Sequence, residues 1–589
     1  MLERVNCKMK WNNSGYFITL HSKPSHMKKT IFLLSIIFIQ GFIFGQIAPN
    51  KYYVQFTDKN DSPYSIGNPS EYLSQRAIDR RTQQGIPIDE KDLPVNPAYI
   101  EGVAGTGAII LNPTKWLNGV TIYTDNPAVI EAILQLPYVS SISKSSANLP
   151  QGNITSAVPY KSFFANEVYN AEPALLQKDG FAVGEFDYGA SFNQIQMLHG
   201  DALHQMGYRG EGKVIAVLDA GYINANILSV FDSLWLNGQI LGTRDFVEGG
   251  ESSFDEHPHG SMVLSCMGGN TPGQLIGTAP KASYWLLRSE DGGSEYIIEE
   301  YNWVSAAEFA DSVGADIINS SLGYTEFNDP LQNHTYSDLN GDTAPATIGA
   351  DIAASRGILV VNSLGNEGSS SWYYLSVPSD GDSVMGIGAV NAGGQYAGFS
   401  SHGPSFDGRV KPDVAAQGAS CYIVEPYSGA FTYGSGTSFS SPILAGMAAC
   451  LWQANPGQTN MQIADAIRQS GSQYLDPDDL LGYGIPNFVE ANNILTVIDG
   501  LDSKDLNLAV YPNPFSNEIR ISMVSTKGQG SGIVILSEMT GKIVISENID
   551  FEIGSSQIVI PNLGNLHPGI YLITFRSDSG SVNAIALKR

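Results

Sequence analysis

Apolar positions recur along this chain with different periods, and the periods sort it into regions. Between 50 and 146, short apolar runs at 52–56, 119–123 and 138–142 predict strands. The spacing at 69–78 and 126–134 predicts helices, the first capped by Ser70 and the second with Pro127 in its opening turn. Together they form a small α+β unit. From 185 to 496 the runs 214–218, 284–288, 315–319 and 357–361 are apolar without alternation, as expected of strands buried on both faces of a parallel sheet. Between them lie predicted helices at 197–206, from His259 onward and at 304–313, the last amphipathic. The run 443–452 is apolar almost all round, so that helix belongs inside the domain. This order of strands and helices gives an α/β fold. After 497 the pattern changes again. Short strands at 518–523, 532–536, 542–546, 557–560 and 570–575 predict a β-sandwich over 503–589.

A chain of 589 residues exceeds what one hydrophobic core supports, in line with three or four units. With 43% hydrophobic and 15% charged residues it is globular rather than disordered. The net charge of −26 excludes nucleic acid or anionic lipid as a general partner, since both call for a basic patch. Met27-Lys28-Lys29, the apolar stretch from Ile31 to Phe44 and Gly45 read as a signal peptide over 27–45. The stretch falls short of the ~20 residues of a spanning helix and is broken by Gln40 and Gly41. No membrane span is therefore expected in the mature protein, and residues 1–26 read as an extension ahead of the true start. Cys7 precedes the signal. Cys266, Cys421 and Cys450 remain, an odd number that suits buried reduced thiols, with one disulfide still open.

Three stretches carry candidate chemistry. Gly436-Thr437-Ser438 places a hydroxyl at the start of the buried helix, beside backbone N–H groups able to stabilise an oxyanion. An ordinary Ser or Thr cap in a glycine-rich turn explains that stretch alone equally well. A serine needs a base, and the base an orienting carboxylate. Asp219 ends the strand 214–218, where open α/β sheets place their sites, and His259 opens a second apolar helix. His257 is a rival base, but it precedes Pro258 and lies off the helix. Asn366, after the strand 357–361, offers a neutral amide that suits an oxyanion; a plain Gly-Asn turn is the alternative. Asp338, Asn340 and Asp342 set oxygens at alternate positions of a loop. Calcium binding and ordinary turn chemistry are both open there, since no later bidentate Glu completes the loop.

Over roughly 185–495 the sequence resembles the subtilisin-like serine peptidases. The resemblance is carried by Gly436-Thr437-Ser438 with Pro442, by His259-Gly260-Ser261, by Asp219-Ala220-Gly221 and by Gly365-Asn366-Glu367-Gly368. Ala220 departs from the family, which usually has Ser or Thr there. The resemblance implies a doubly wound, mostly parallel sheet with helices on both faces. It implies a triad of Asp219, His259 and Ser438, with Asn366 in the oxyanion site. It also places the strand end Ser321-Leu322-Gly323 beside a protein or peptide substrate, and it requires no organic cofactor. The 50–146 unit resembles the propeptides of this family, an intramolecular inhibitor followed by a linker at 147–184 where processing falls. Tyr511-Pro512-Asn513-Pro514 and Leu566-His567-Pro568-Gly569 resemble the C-terminal sorting domain of the type IX secretion system, whose machinery is then a partner. These features describe a secreted or cell-surface serine endopeptidase made as a zymogen. Two alternatives stand beside it, a non-catalytic surface adhesin on the same scaffold and a hydrolase of small esters.

Overall fold

The computed structural model describes residues 50–145, 187–499, 506–525, 530–538, 543–551, 554–577 and 580–589. The expected signal peptide and the linker at 147–184 lie outside them.

The N-terminal unit is an antiparallel sheet of β1 (Lys51–Phe56), β2 (Ile109–Thr114), β3 (Gly119–Tyr123) and β4 (Val139–Lys144) in the order β2-β3-β1-β4. Its helices are α1 (Gln75–Gln84), α2 (Pro97–Gly105) and α3 (Pro127–Leu134). Val54, Val103, Val120, Ile122 and Ile133 form its core. The helix expected at 69–78 is displaced. Residues Pro69–Glu71 make one 3-10 turn without a side-chain cap, and α1 starts six residues later, where Ser74 accepts the N–H of Ala77 at 3.2 Å. Ser70 is therefore not the cap; Ser74 has the extended backbone a cap needs.

The central domain is built on seven parallel strands: β5 (Val214–Asp219), β6 (Ile240–Asp245), β7 (Ser283–Arg288), β8 (Ile317–Ser320), β9 (Leu359–Ser363), β10 (Val384–Val390) and β11 (Val414–Gln417). Their order is β11-β10-β9-β8-β5-β7-β6, so the chain reverses its direction of travel beside β5 and β8. Period-two alternation divides the apolar residues between two cores. Ile215, Val217, Ile317 and Val361 face one layer of helices, among them α4 (His259–Gly268) and α7 (Thr437–Ala454). Ala216, Leu218, Ile318 and Val360 face the other, among them α5 (Ile298–Val313) and α6 (Pro345–Ser355). Cys266, Cys421 and Cys450 of this region are all buried free thiols.

The helix expected at 304–313 begins earlier, at Ile298. Its polar side is not in water either: Glu308 and Asp311 are 6% and 0% exposed because the N-terminal unit covers them. In the C-terminal region β12 (Leu506–Tyr511), β13 (Ile519–Ser525) and β16 (Gly554–Ile560) form one sheet. The other contains β14 (Gly530–Glu538), β15 (Ile543–Phe551), β17 (Gly569–Ser577) and β18 (Gly580–Lys588), with Ile521, Leu536, Ile573 and Phe575 in the core between them.

Candidate active site

The carboxyl end of β5 delivers Asp219, fully buried. Its Oδ1 accepts the N–H of Ala220 at 2.8 Å and lies 2.8 Å from Nδ1 of His259. A buried carboxylate on that nitrogen holds the proton there, so Nε2 is the face that can accept another. His259 is the first residue of α4 and is itself fully buried. The helix start packs against the loop after Asp219: Gly260 donates to the carbonyl of Gly221 at 3.0 Å, and a Cβ on Gly260 would stand 2.4 Å from that oxygen. Only glycine permits this approach, which sets the distance between aspartate and histidine. His257 is turned to a local task, its Nδ1 accepting the N–H of His259 at 3.3 Å.

Ser438 is the second residue of α7 and only 3% exposed. The ring of the next residue, Phe439, lies 6.3 Å from the His259 ring, which brings the two helix starts together. Four residues on, Pro442 has no N–H, so the carbonyl of Ser438 lacks its usual helical donor. Ser321, just beyond β8, supplies one: its Oγ donates to Ser438 O at 3.0 Å, and Ser438 Oγ in turn donates to Ser321 O at 3.5 Å. Asn319 adds a bond between the same elements, accepting the hydroxyl of Ser441 at 3.0 Å.

Asn366 follows β9 through Gly365, whose φ of 116° suits glycine. The asparagine side chain accepts the N–H of Thr437 at 2.9 Å and its hydroxyl at 3.0 Å. Both of those are donors, so the atom facing them is the amide oxygen, and the NH₂ end points the other way. Thr437 also receives the N–H of Gly365 at 3.2 Å. Sequence reading treated Thr437 as part of a motif and missed this clamp, and it missed the task of Ser321. The second was signalled by a proline four residues after the serine.

Ser321, at the head of the Ser321-Leu322-Gly323 stretch, therefore lies directly against Ser438. Beyond it Tyr324 pairs with Val377 through two main-chain bonds of 2.9 and 3.2 Å, and the α-carbon of Gly323 faces Ser376. The side chains of the 338–342 turn make local hydrogen bonds. Asp338 Oδ2 accepts from the N–H and hydroxyl of Thr335 at 2.7 and 2.9 Å. Asn340 Oδ1 accepts from Asp342 N and Thr343 Oγ1 at 2.9 and 3.0 Å. These oxygens accept bonds within their own turns. Among the described residues Glu290, Glu295 and Glu299 converge, with carboxylate oxygens within 4.8 Å of one another. Among those residues no helix is long and apolar enough to cross a membrane.

Residues 210–484 match the Subtilase family, residues 51–158 the peptidase S8 propeptide domain of Bacteroidota, and residues 509–586 a secretion-system C-terminal sorting domain. Subtilisin E of Bacillus subtilis is 32% identical over 299 residues, which span 50% of this chain and 69% of that protein. A subtilisin of Bacillus pumilus is 31% identical over 299 residues, 50% of this chain and 95% of the relative. Among solved structures, MycP1 with its N-terminal propeptide removed aligns at 22% identity over 51% of this chain and 96% of that one, with a TM-score of 0.40. The sheet, the propeptide unit, the family matches and the subtilisin relatives lead to one conclusion: the chain belongs to the subtilase family and is a secreted serine endopeptidase made with a propeptide and a C-terminal sorting domain.

Proposed function

We propose that Asp219, His259 and Ser438 are the catalytic triad of this peptidase, and that Asn366 with the backbone N–H of Ser438 forms its oxyanion site. His259 Nε2 takes the proton of Ser438 Oγ as that oxygen attacks the carbonyl carbon of a peptide bond. Asp219 fixes the tautomer and stabilises the imidazolium that results. The oxyanion is held by the NH₂ end of Asn366, itself clamped by Thr437. His259 then gives its proton to the leaving amine, and water repeats the sequence on the acyl-enzyme. Every proton transfer is made by a side chain, so no organic cofactor has a step. No step in this sequence uses calcium, for which Asp338, Asn340 and Asp342 remain the candidate ligands.

The observation that carries this reading is the 2.8 Å contact between two fully buried side chains, Asp219 and His259. Burying such a pair is costly, and buried titratable pairs of this kind cluster at functional sites. An extended substrate lies along Ser321-Leu322-Gly323, pairing by main-chain hydrogen bonds as an added strand. The domain limits follow: signal peptide at 27–45, inhibitory propeptide at 50–146, processing region at 147–184, peptidase domain at 185–496 and sorting domain at 503–589. The last would be recognised by type IX secretion machinery.

The test is the intact mass and N-terminal sequence of the exported protein, Ser438→Ala beside the wild type. Loss of residues up to the 147–187 region in the wild type alone is the expected result. Identical cutting of both proteins would assign maturation to another protease. A wild type that remains whole and hydrolyses neither proteins nor peptides would refute the triad assignment.

A further inference from the structure

The N-terminal unit is held to the peptidase domain by a buried cluster of charges far from the chemistry. Arg80 and Arg81 of α1 and Lys115, between β2 and β3, converge on one carboxylate, Asp311 near the end of α5. Its Oδ1 receives Arg80 at 2.6 Å and Arg81 at 2.8 Å; its Oδ2 receives Arg81 at 2.9 Å and Lys115 at 2.9 Å. Arg81 also holds Asp92 of its own unit at 2.7 Å, and Asp92 in turn meets Arg356 of the peptidase domain at 3.2 Å. Exposure is 5% for Arg80, 1% for Arg81, 8% for Lys115 and 0% for Asp92 and Asp311. Burial by itself would raise the pKa of Asp311, but Lys115, Arg81 and Arg80 overcome it and hold the carboxyl well below its ordinary range. Glu308, one turn earlier on α5, accepts the backbone N–H groups of Lys115 and Trp116 at 2.7 and 2.9 Å, fixing the loop that brings Lys115 in.

Counting the groups named, with Arg76 and Asp316 at the edge, the N-terminal unit contributes Arg76, Arg80, Arg81, Lys115 and Asp92. The peptidase domain contributes Glu308, Asp311, Asp316 and Arg356. The faces are opposite in sign, and each is incomplete alone. Asp316 precedes β8 and Ser321 follows it, five extended steps or roughly 17 Å apart. The charge cluster is therefore at the far end of the strand from Ser438. A cut anywhere in 146–186 breaks none of its contacts.

We propose that Asp311 is the anchor that keeps the cleaved propeptide on its peptidase domain. Its buried carboxylate, paired with Arg80, Arg81 and Lys115, sets the affinity of this inhibitor and its selectivity for a domain with an acid at this place. The inference deepens the peptidase reading and rests on it for the word inhibitor, while the contact itself does not depend on catalysis.

The experiment uses the full chain carrying Ser438→Ala, with a recognition sequence for an added endopeptidase inserted between 146 and 186. After cutting, release of the 50–145 piece is followed by size-exclusion chromatography on dilution. Removing one partner of a buried ion pair leaves the others uncompensated, so Asp311→Asn should weaken retention by on the order of 100- to 1000-fold. Arg81→Ala should act in the same direction while leaving the peptidase domain unaltered, which covers the case in which Asp311→Asn fails to fold. Gln83→Ala, at the exposed rim of the same contact, should change release by less than about 3-fold. Release of the Arg81→Ala piece at the unsubstituted rate would overturn the proposal. Because the Ser438→Ala chain does no chemistry, failure of the peptidase reading would appear separately, as absence of hydrolysis by the Ser438 chain.

Discussion

Removing the hydroxyl of Ser321 perturbs helix α7 without altering the side chains of the proposed triad. The carbonyl of Ser438 sits four residues before Pro442, which has no N–H to offer it, and Ser321 Oγ donates to it at 3.0 Å instead. Both serines are 3% exposed, so water cannot readily take the place of the lost donor. Taking one partner from a buried hydrogen bond costs about 1–3 kcal/mol. That corresponds to a roughly 5- to 150-fold rise in the exchange of helix α7 amides measured through local opening. Hydrogen exchange by mass spectrometry on peptides covering 437–454 is the assay, in the Ser438→Ala background to prevent self-digestion. The control is a double-mutant cycle. Pro442→Ala restores an N–H four residues after Ser438, so Ser321→Ala should cost much less in that background, and the two changes should be non-additive by at least about 0.5 kcal/mol. Additive behaviour, or a Ser321→Ala loss below about 0.5 kcal/mol, would refute the idea that Ser321 substitutes for the missing helical donor.

The oxyanion clamp predicts a graded series. Asn366→Ala should lower kcat about 10²–10³-fold with KM nearly unchanged, a figure obtained on a subtilisin and carried over to this relative. Thr437→Val, which removes one of two bonds to the amide, should cost about 3- to 10-fold, the worth of one neutral hydrogen bond; steady-state kinetics on one peptide substrate tests both. His334 predicts a pH effect. Burial lowers its pKa, but the hydrogen bond and charge of Glu300, 2.6 Å away, hold it above the ordinary 6.5. The stability it lends is thus fully present below about pH 6.5 and is lost as pH rises through the folded value. Thermal unfolding of His334→Gln should show a flatter decline above pH 6.5 than the unsubstituted chain, and equal slopes would refute the assignment. Finally, burial pushes the thiols of Cys266, Cys421 and Cys450 above their ordinary 9.0. Iodoacetamide should leave all three unmodified in the native protein and alkylate them on denaturation, as mass spectrometry would show.

Local chemistry and residue period are legible in the linear chain. Unbroken apolar runs marked β5, β8 and β9 as strands covered on both faces, because each residue of such a strand meets a core. Gly436-Thr437-Ser438 and His259-Gly260 were legible because a hydroxyl or imidazole at a buried helix start needs small neighbours, a constraint written in adjacent residues. The start of α1 was misplaced because Ser70 and Ser74 are equal candidates in sequence, and only backbone conformation separates them. Tertiary structure alone decided the long-range pairings. The bond of Ser321 to Ser438 spans 117 positions and that of Arg80 to Asp311 spans 231. The polar side of α5 has the spacing of a solvated face, and nothing local distinguishes it from one. It is buried because another part of the chain brings three cations to it, and charge complementarity across such a separation leaves no periodic trace in a single sequence.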